Sequence, residues 1–544
     1  MRYSLLILFF CIACSTSKNN LNSPVKMTEQ QMLERNADHT TARLQYKLIS
    51  SSFNNKENVW AGAQKALEGF DEATYNQLKP LILDQSINSI QESISQNKLN
   101  YEKLTKWYLY RILKFEQDPT TSLHTIISLN TNAVKEAKKY DANKPRNSSK
   151  IYGMPILLKD NIGAEGMPTT AGAIALSNNF TRDATIVENL KRNGAIILGK
   201  VNLSEWAYFF CSGCPLGYSA IGGQTLNPHG RGIFETGGSS SGSGVAVAAN
   251  YAVAAVGTET SGSILSPSSQ NSVVGLKPTI GVLSRSGIVP ISSTLDTPGP
   301  MTKNVSDNAI LLAAMAGKDK EDEATQRVPD PVDYNVDNLR ASISLFTFGV
   351  NKNFLELSPE YKNMVDKLKE AGAKMIEFTP EQTALEGFVD VLHYDMKYDL
   401  PKYLMSYAPR SIQVRNAKDV VDFNDEDINL RAPYGQSLMM KTDSCEITNE
   451  EINNTKRTLE KTARSHYKNI LEVEKVDAIL SINNYDAGYA AMAKYPALAL
   501  PMGVDKEGEP KALTLIGLPF HEQELLNIGK TIMDAFPMRK LVMQ

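Results

Sequence analysis

Between residues 80 and 141, apolar side chains recur every three or four positions in three successive segments: ILDQSINSIQESISQ, NYEKLTKWYLYRILKFEQ and NTNAVKEAKKYD. That spacing lays one apolar stripe along each segment and predicts three helices. The period changes after Ile151. Short apolar runs (MPILLKD, AIILGK, YAVAAVGT, DAILSI) now alternate with amphipathic stretches such as ATIVENLKRNG. Runs of this length read as buried strands, and their alternation with helices predicts an α/β fold, a sheet with helices on its faces. Residues 335–470 are richer in charge and weaker in period, which predicts a helical covering insertion. The strand pattern returns at Val476 and continues through PALALPMGV and ALTLIGLP, so both ends of the chain should close the core. Residues 15–78 are polar and irregular, with helical stretches such as TTARLQYKLISS, and read as a tether and N-terminal extension. The expected division is a leader over 1–13, tether and extension over 14–80, and a single domain over 81–544.

Composition changes this picture little. With 544 residues, 42% hydrophobic, 22% charged and a net charge of −3, the chain carries no electrostatic footprint of nucleic-acid binding. The N-terminus adds more. MRYSLLILFFCIAC holds one basic residue, Arg2, an apolar run from Leu5 to Ala13, and small residues at its close. This is the pattern of a secretory leader, too short to span a bilayer. The run ends on Cys14 in a context that resembles a bacterial lipoprotein cleavage box, although Cys11 stands where that box usually has leucine. The expectation is an exported bacterial protein, either anchored to a membrane only through a lipid on Cys14 or, with an ordinary cleaved leader, periplasmic. Processing would leave Cys211, Cys214 and Cys445. The CSGC spacing is that of a redox pair, but no thioredoxin-like strand and helix surround it, so it reads as a loop pair whose oxidation state stays open.

The candidate chemistry centres on GGSSSGSGVAVAAN, residues 237–250, which crowds hydroxyls and bare amides at the mouth of a helix. Three uses compete. Phosphate binding would call for G-x-x-x-x-G-K-[ST], and the nearest match, GAIILGKV, has Val201 in place of the metal-binding hydroxyl and a strand-like interior. A nucleophile elbow, G-x-S-x-G, would centre on Ser240 with His521 as its base, but the polar stretch NPHGRGIFET precedes it where an apolar strand is needed. The third use pairs Ser239 with Ser263, which follows the run AVAAVGT. Their separation suits a helix and a strand that return the chain to the same sheet edge. Thr260, Ser261, Gly262 and Ser263 would then present successive amides, as an oxyanion hole requires.

A serine nucleophile needs a base, and the six histidines share no motif. Lys159, closing MPILLKD, is the alternative: burial at a strand end penalises its ammonium. Moving a lysine from ~10.4 to ~7.5 takes roughly 4 kcal/mol, within reach of a buried site.

GMPILLKDNI, TTAGAIAL, GGSSSGSGVAVAAN, GTETSGSI and GLKPTIGVLSRSGIVPIS, in this order and at these separations, resemble the amidase signature family of Ser-Ser-Lys hydrolases. The likeness covers about residues 80–340 and 470–544, and LSEWA, SAIGGQT and GTET look most like its peptide-amidase and general-amidase branch. It implies a central mixed β-sheet covered by helices. It also implies Ser263 as the acylated nucleophile, Ser239 as a bridging serine on a cis peptide, Lys159 as the base, and Ser240 as support. The amides of Thr260, Ser261, Gly262 and Ser263 would form the oxyanion hole. Ser261 stands where relatives usually have Gly or Asp, and Leu265 where many carry arginine, which bears on substrate preference. The expected activity is hydrolysis of a small-molecule or peptide carboxamide, with release of ammonia and with no metal or cofactor. The alternative is an inactive lipoprotein of the same fold that binds amides or peptides. Neither the physiological substrate nor the oligomeric state is legible in the sequence.

Overall fold

The computed structural model describes residues 27–542, apart from 54–55, 146–147, 330–333, 338–340 and 382. The leader and Cys14 therefore lie outside the described residues. The strands are β1 (Ile126–Leu129), β2 (Pro155–Lys159), β3 (Ile196–Val201), β4 (Tyr218–Ser219), β5 (Gly223–Gln224), β6 (Ala254–Glu259), β7 (Val274–Lys277), β8 (Thr297–Thr302), β9 (Thr347–Asn351), β10 (Lys374–Phe378), β11 (Ala478–Ile482), β12 (Ala497–Val504) and β13 (Pro510–Ile516). Eleven of them form one sheet in the order β1-β3-β2-β6-β8-β7-β12-β13-β11-β9-β10, while β4 and β5 make a separate hairpin. The sheet is mixed, as expected. β2 runs parallel to β3 and β6, β9 runs parallel to β10 and β11, and the pairings between these groups are antiparallel.

The apolar runs form strands because both faces of the sheet are covered, so continuous hydrophobicity is what a central strand needs. Every residue of β2, β3 and β6 is buried. The three helices expected early in the chain form at Ile87–Ser95, Tyr101–Glu116 and Ala133–Ala142. The glycine-serine stretch opens the helix Ser241–Ala248, all of it buried. Its glycines allow close approach: a Cβ on Gly242 would lie 2.4 Å from the Asn202 carbonyl oxygen, and one on Gly257 in β6 would lie 2.9 Å from Ser240 Oγ.

Two local expectations change. TTARLQYKLISS forms only a single 3-10 turn, Ala42–Leu44. Beyond it the chain is a strap whose hydrogen bonds are tertiary: the Ile49 and Ser50 amides donate to the Glu29 carboxylate at 3.0 and 2.8 Å, and Ser51 Oγ donates to the Ala220 carbonyl. The Glu29 carboxylate, with the Gln224 amide that donates to the Ile49 carbonyl at 2.7 Å, satisfies backbone groups that a helix would have paired internally. The segment from 335 to 470, expected to be helical cover, first contributes β9 and β10 to the sheet edge. Solvent reaches β10, so its KMIEF pattern mixes exposed and half-buried positions and lacks a clean apolar run. The cover itself is the helices between Phe388 and Lys468, which pack on a second cluster with Leu176, Trp206 and Ile291.

Candidate active site

β2 and β6 lie side by side and parallel, with Leu158 opposite Val256. Their carboxyl ends therefore deliver Lys159, Thr258 and Glu259 to one edge, where open α/β sheets build their sites. Lys159 has 0% exposure. Its Nζ lies 2.7 Å from Ser239 Oγ, 2.8 Å from Thr258 Oγ1 and 3.1 Å from the Thr258 carbonyl oxygen, and no carboxylate forms an ion pair with it among the described residues. Burial pulls the amine down to about 7, against the opposing pull of Asp296 and Glu259. The ammonium form can donate to all three oxygens. The uncharged amine has two N–H groups, which the two Thr258 oxygens accept, and one lone pair, left facing the Ser239 hydroxyl.

Ser239 follows a cis peptide from Gly238, and its carbonyl accepts the Ser204 amide at 3.0 Å. Ser240 braces this turn against β6: its hydroxyl donates to the Thr258 carbonyl at 3.0 Å and accepts the Thr258 amide at 3.1 Å. The Ser240 amide donates to the Ser263 carbonyl at 3.1 Å, which ties the loop after β6 to the serine turn. Ser263 is half-buried. The structure thus joins Lys159 to Ser239 directly and holds Ser263 beside them through the backbone.

The amides of the 260–263 loop do not share one fate. The Gly262 amide donates to Glu259 Oε1 at 2.7 Å, and the Glu259 carboxylate also accepts Ile264 and Leu265 at 2.7 and 3.0 Å. The expected place of Gly262 in an oxyanion hole is therefore corrected, because a carboxylate already holds its N–H. The amides of Thr260, Ser261 and Ser263 have no protein acceptor among the described residues. Thr260 is fixed through its side chain, which donates to Asp296 Oδ1 at 2.6 Å. Burial pushes Asp296 up to about 6. Glu259 and Asp296 escaped the sequence reading, since an acidic residue beside a polar loop gives no periodic signal. Only the short span from Glu259 to Leu265 hints that one carboxylate could cap several amides.

A cavity of about 530 Å³ opens next to this edge, bounded by Asn161, Thr258 and Thr260 on the sheet side and by Tyr403 and Tyr407 on the covering helix Phe388–Tyr407. His521 is elsewhere. It precedes the helix Glu522–Ala535, 4.0 Å from Glu524, and lines a different cavity with Phe346 and Val476, so the elbow arrangement with Ser240 is not built. GAIILGKV is the buried strand β3. Cys211 and Cys214 are paired in a loop, with Cα atoms 5.8 Å apart.

A buried amine, a serine turn and free loop amides gathered at one sheet edge are the groups a serine hydrolase needs, and comparison with known proteins gives the family. The family model Amidase matches residues 103–526, and the chain belongs to that family. It is similar to an amidase family protein from Bacillus anthracis, with 35% identity, a TM-score of 0.87, and coverage of 92% of this chain and 99% of that one. The peptide amidase of Stenotrophomonas maltophilia is 33% identical, with a TM-score of 0.80 over 85% of this chain and 99% of that one. An Arabidopsis thaliana protein described as a probable amidase is 33% identical over 84% of this chain and 91% of its own length.

Proposed function

We propose that the protein hydrolyses a carboxamide, such as the C-terminal amide of a peptide, through an acyl-enzyme on Ser263. The observation that carries this reading is the buried amine of Lys159, 2.7 Å from Ser239 Oγ with no paired carboxylate. In the uncharged form its lone pair takes the Ser239 proton as Ser239 takes that of Ser263. Ser263 Oγ bonds to the amide carbon, and the negative charge that develops on the carbonyl oxygen meets the unoccupied amides of Thr260, Ser261 and Ser263. The tetrahedral species collapses when the proton held on Lys159 returns through Ser239 to the leaving nitrogen, which departs as ammonia. Water then repeats the cycle on the ester and releases the acid. The peptide amidase likeness supports the choice of substrate.

Ammonia release over a panel of primary amides tests the assignment. Ser263→Ala is expected to abolish turnover while leaving the fold intact, and full activity in that variant would refute it. We further propose that the mature chain begins at Cys14, which carries lipid. Labelled fatty acid should enter the wild type and not Cys14→Ser.

A further inference from the structure

The walls of the cavity at the sheet edge that carries Thr258 and Thr260 are charged, yet that charge is already committed. Arg182 Nη2 lies 2.7 Å from Glu321 Oε2, an oxygen that also accepts the Tyr407 hydroxyl at 2.7 Å. Arg285 grips Asp322 with two parallel bonds, Nε to Oδ2 at 2.8 Å and Nη2 to Oδ1 at 2.5 Å. Lys402 Nζ lies 3.2 Å from Asp399 Oδ1, while Asp399 Oδ2 accepts the Ser293 amide at 2.8 Å. Asp296 accepts Thr260 Oγ1 on one oxygen and the amides of Ile291 and Ser292 on the other, at 2.8 and 2.9 Å. Among the described residues lining the cavity, three cations and three anions pair off, and the remaining carboxylate is occupied by hydrogen bonds. What stays free to meet a ligand is uncharged: the apolar surface of Ala207, Ile288, Val289, Pro290 and the rings of Tyr403 and Tyr407, with the hydroxyls of Ser293 and Ser406 beside them.

We propose that this cavity receives the acyl part of an uncharged amide and discriminates against acyl groups that bear a carboxylate or an ammonium. The inference rests on the amidase reading above and adds the substrate class. A carboxylate entering here must either remain unpaired or pull Arg285 out of its fork with Asp322, and an ammonium faces the same choice at the anions. The loss is largest at the mostly buried Arg285–Asp322 pair, where charge-assisted hydrogen bonds are given up away from water. A neutral side chain displaces none of these bonds and buries apolar surface. The volume is that of a pocket for a small organic ligand.

The test compares three amides of similar length, N-acetyl-methioninamide, the α-amide of N-acetyl-glutamic acid, and N-acetyl-lysinamide, by ammonia release at pH 7.5. The neutral amide is expected to exceed both charged ones in kcat/KM by on the order of 100-fold. Rates within about threefold of one another would overturn the proposal while leaving the amidase reading intact. If no primary amide is turned over, both fall. Asp322→Asn frees the Arg285 guanidinium, and the glutamate-derived amide should then gain about tenfold relative to the neutral one, with no gain for the lysine-derived amide. Should that variant fail to fold, Glu321→Gln at the exposed mouth frees Arg182 for the same measurement. A folded variant without that gain counts against the proposal.

Discussion

Lys159 and Lys200 are chemically identical side chains on adjacent parallel strands, Lys159 opposite Val201 and Lys200 opposite Leu158, and both have 0% exposure. Their surroundings differ in one respect. Lys200 lies 3.1 Å from Asp160, whose carboxylate also accepts the hydroxyl and amide of Thr170. Among the described residues, Lys159 meets only hydroxyl and carbonyl oxygens. Burial pulls both amines down and pushes Asp160 up, but Asp160 opposes the effect at Lys200 from within contact distance. Lys159 has only the more distant Asp296 and Glu259 to oppose it. Burial alone therefore does not make a base. A base results when burial is combined with the exclusion of a contacting anion, so that the neutral form keeps a lone pair aimed at a proton donor.

The same substitution at each lysine should separate the two roles. Lys159→Met is expected to lower ammonia release by about a thousand-fold or more, with the residual rate measured over the amide panel. Lys200→Met should instead strike stability. It leaves Asp160 buried without its cation, at a cost of about 3–5 kcal/mol in denaturant unfolding. Adding Asp160→Leu to it should recover most of that loss. In contrast, Lys159→Met should stabilise the fold by roughly 1–3 kcal/mol near pH 7, since it removes a group whose charged form burial penalises.

The pH dependence sharpens the contrast. Lys159 titrates near 7 when folded and near ~10.4 when unfolded. Protonated below 7, it becomes a base above it, so kcat/KM should rise through pH 7 and level off about one unit higher. Between these two values the unfolded chain binds the extra proton, so the group's contribution to stability improves as pH rises from about 7 towards ~10.4. Lys159→Met should remove one proton's share of that slope, leaving what the buried Lys277 and Lys303, both pulled down to about 8, contribute, and Lys200→Met should retain the Lys159 share. The smallest effect is expected at His521→Ala, with rates within about twofold of wild type and a stability change within ±0.5 kcal/mol.

The central strands were readable in advance because each is buried on both faces, so MPILL and AVAAV are unbroken apolar runs. β10 was not, because as an edge strand it alternates between solvent and neighbours. The strap from Leu44 to Ser51 misled because the Glu29 carboxylate and the Gln224 amide hold its backbone and Ala220 holds the Ser51 hydroxyl, and those partners leave no mark on the local period. Within the site, the serines and Lys159 could be named from motif and order. Glu259 could not, because its effect is to occupy the Gly262 amide and two others, which requires coordinates.

The amino-acid order by itself determined which groups can do chemistry here, because the types and separations of Lys159, Ser239 and Ser263 depend on nothing else. Only the tertiary structure decided that the amine meets no anion among the described residues, which loop amides stay free, and that the three cations of the cavity each pair with a carboxylate while Asp296 is held by hydrogen bonds. Two of these contacts, Lys159 with Ser239 and Arg182 with Glu321, join segments about 80 and 140 residues apart, the Glu259–Gly262 contact depends on how the loop turns, and electrostatic energy at such range changes too steeply for sequence spacing to report it.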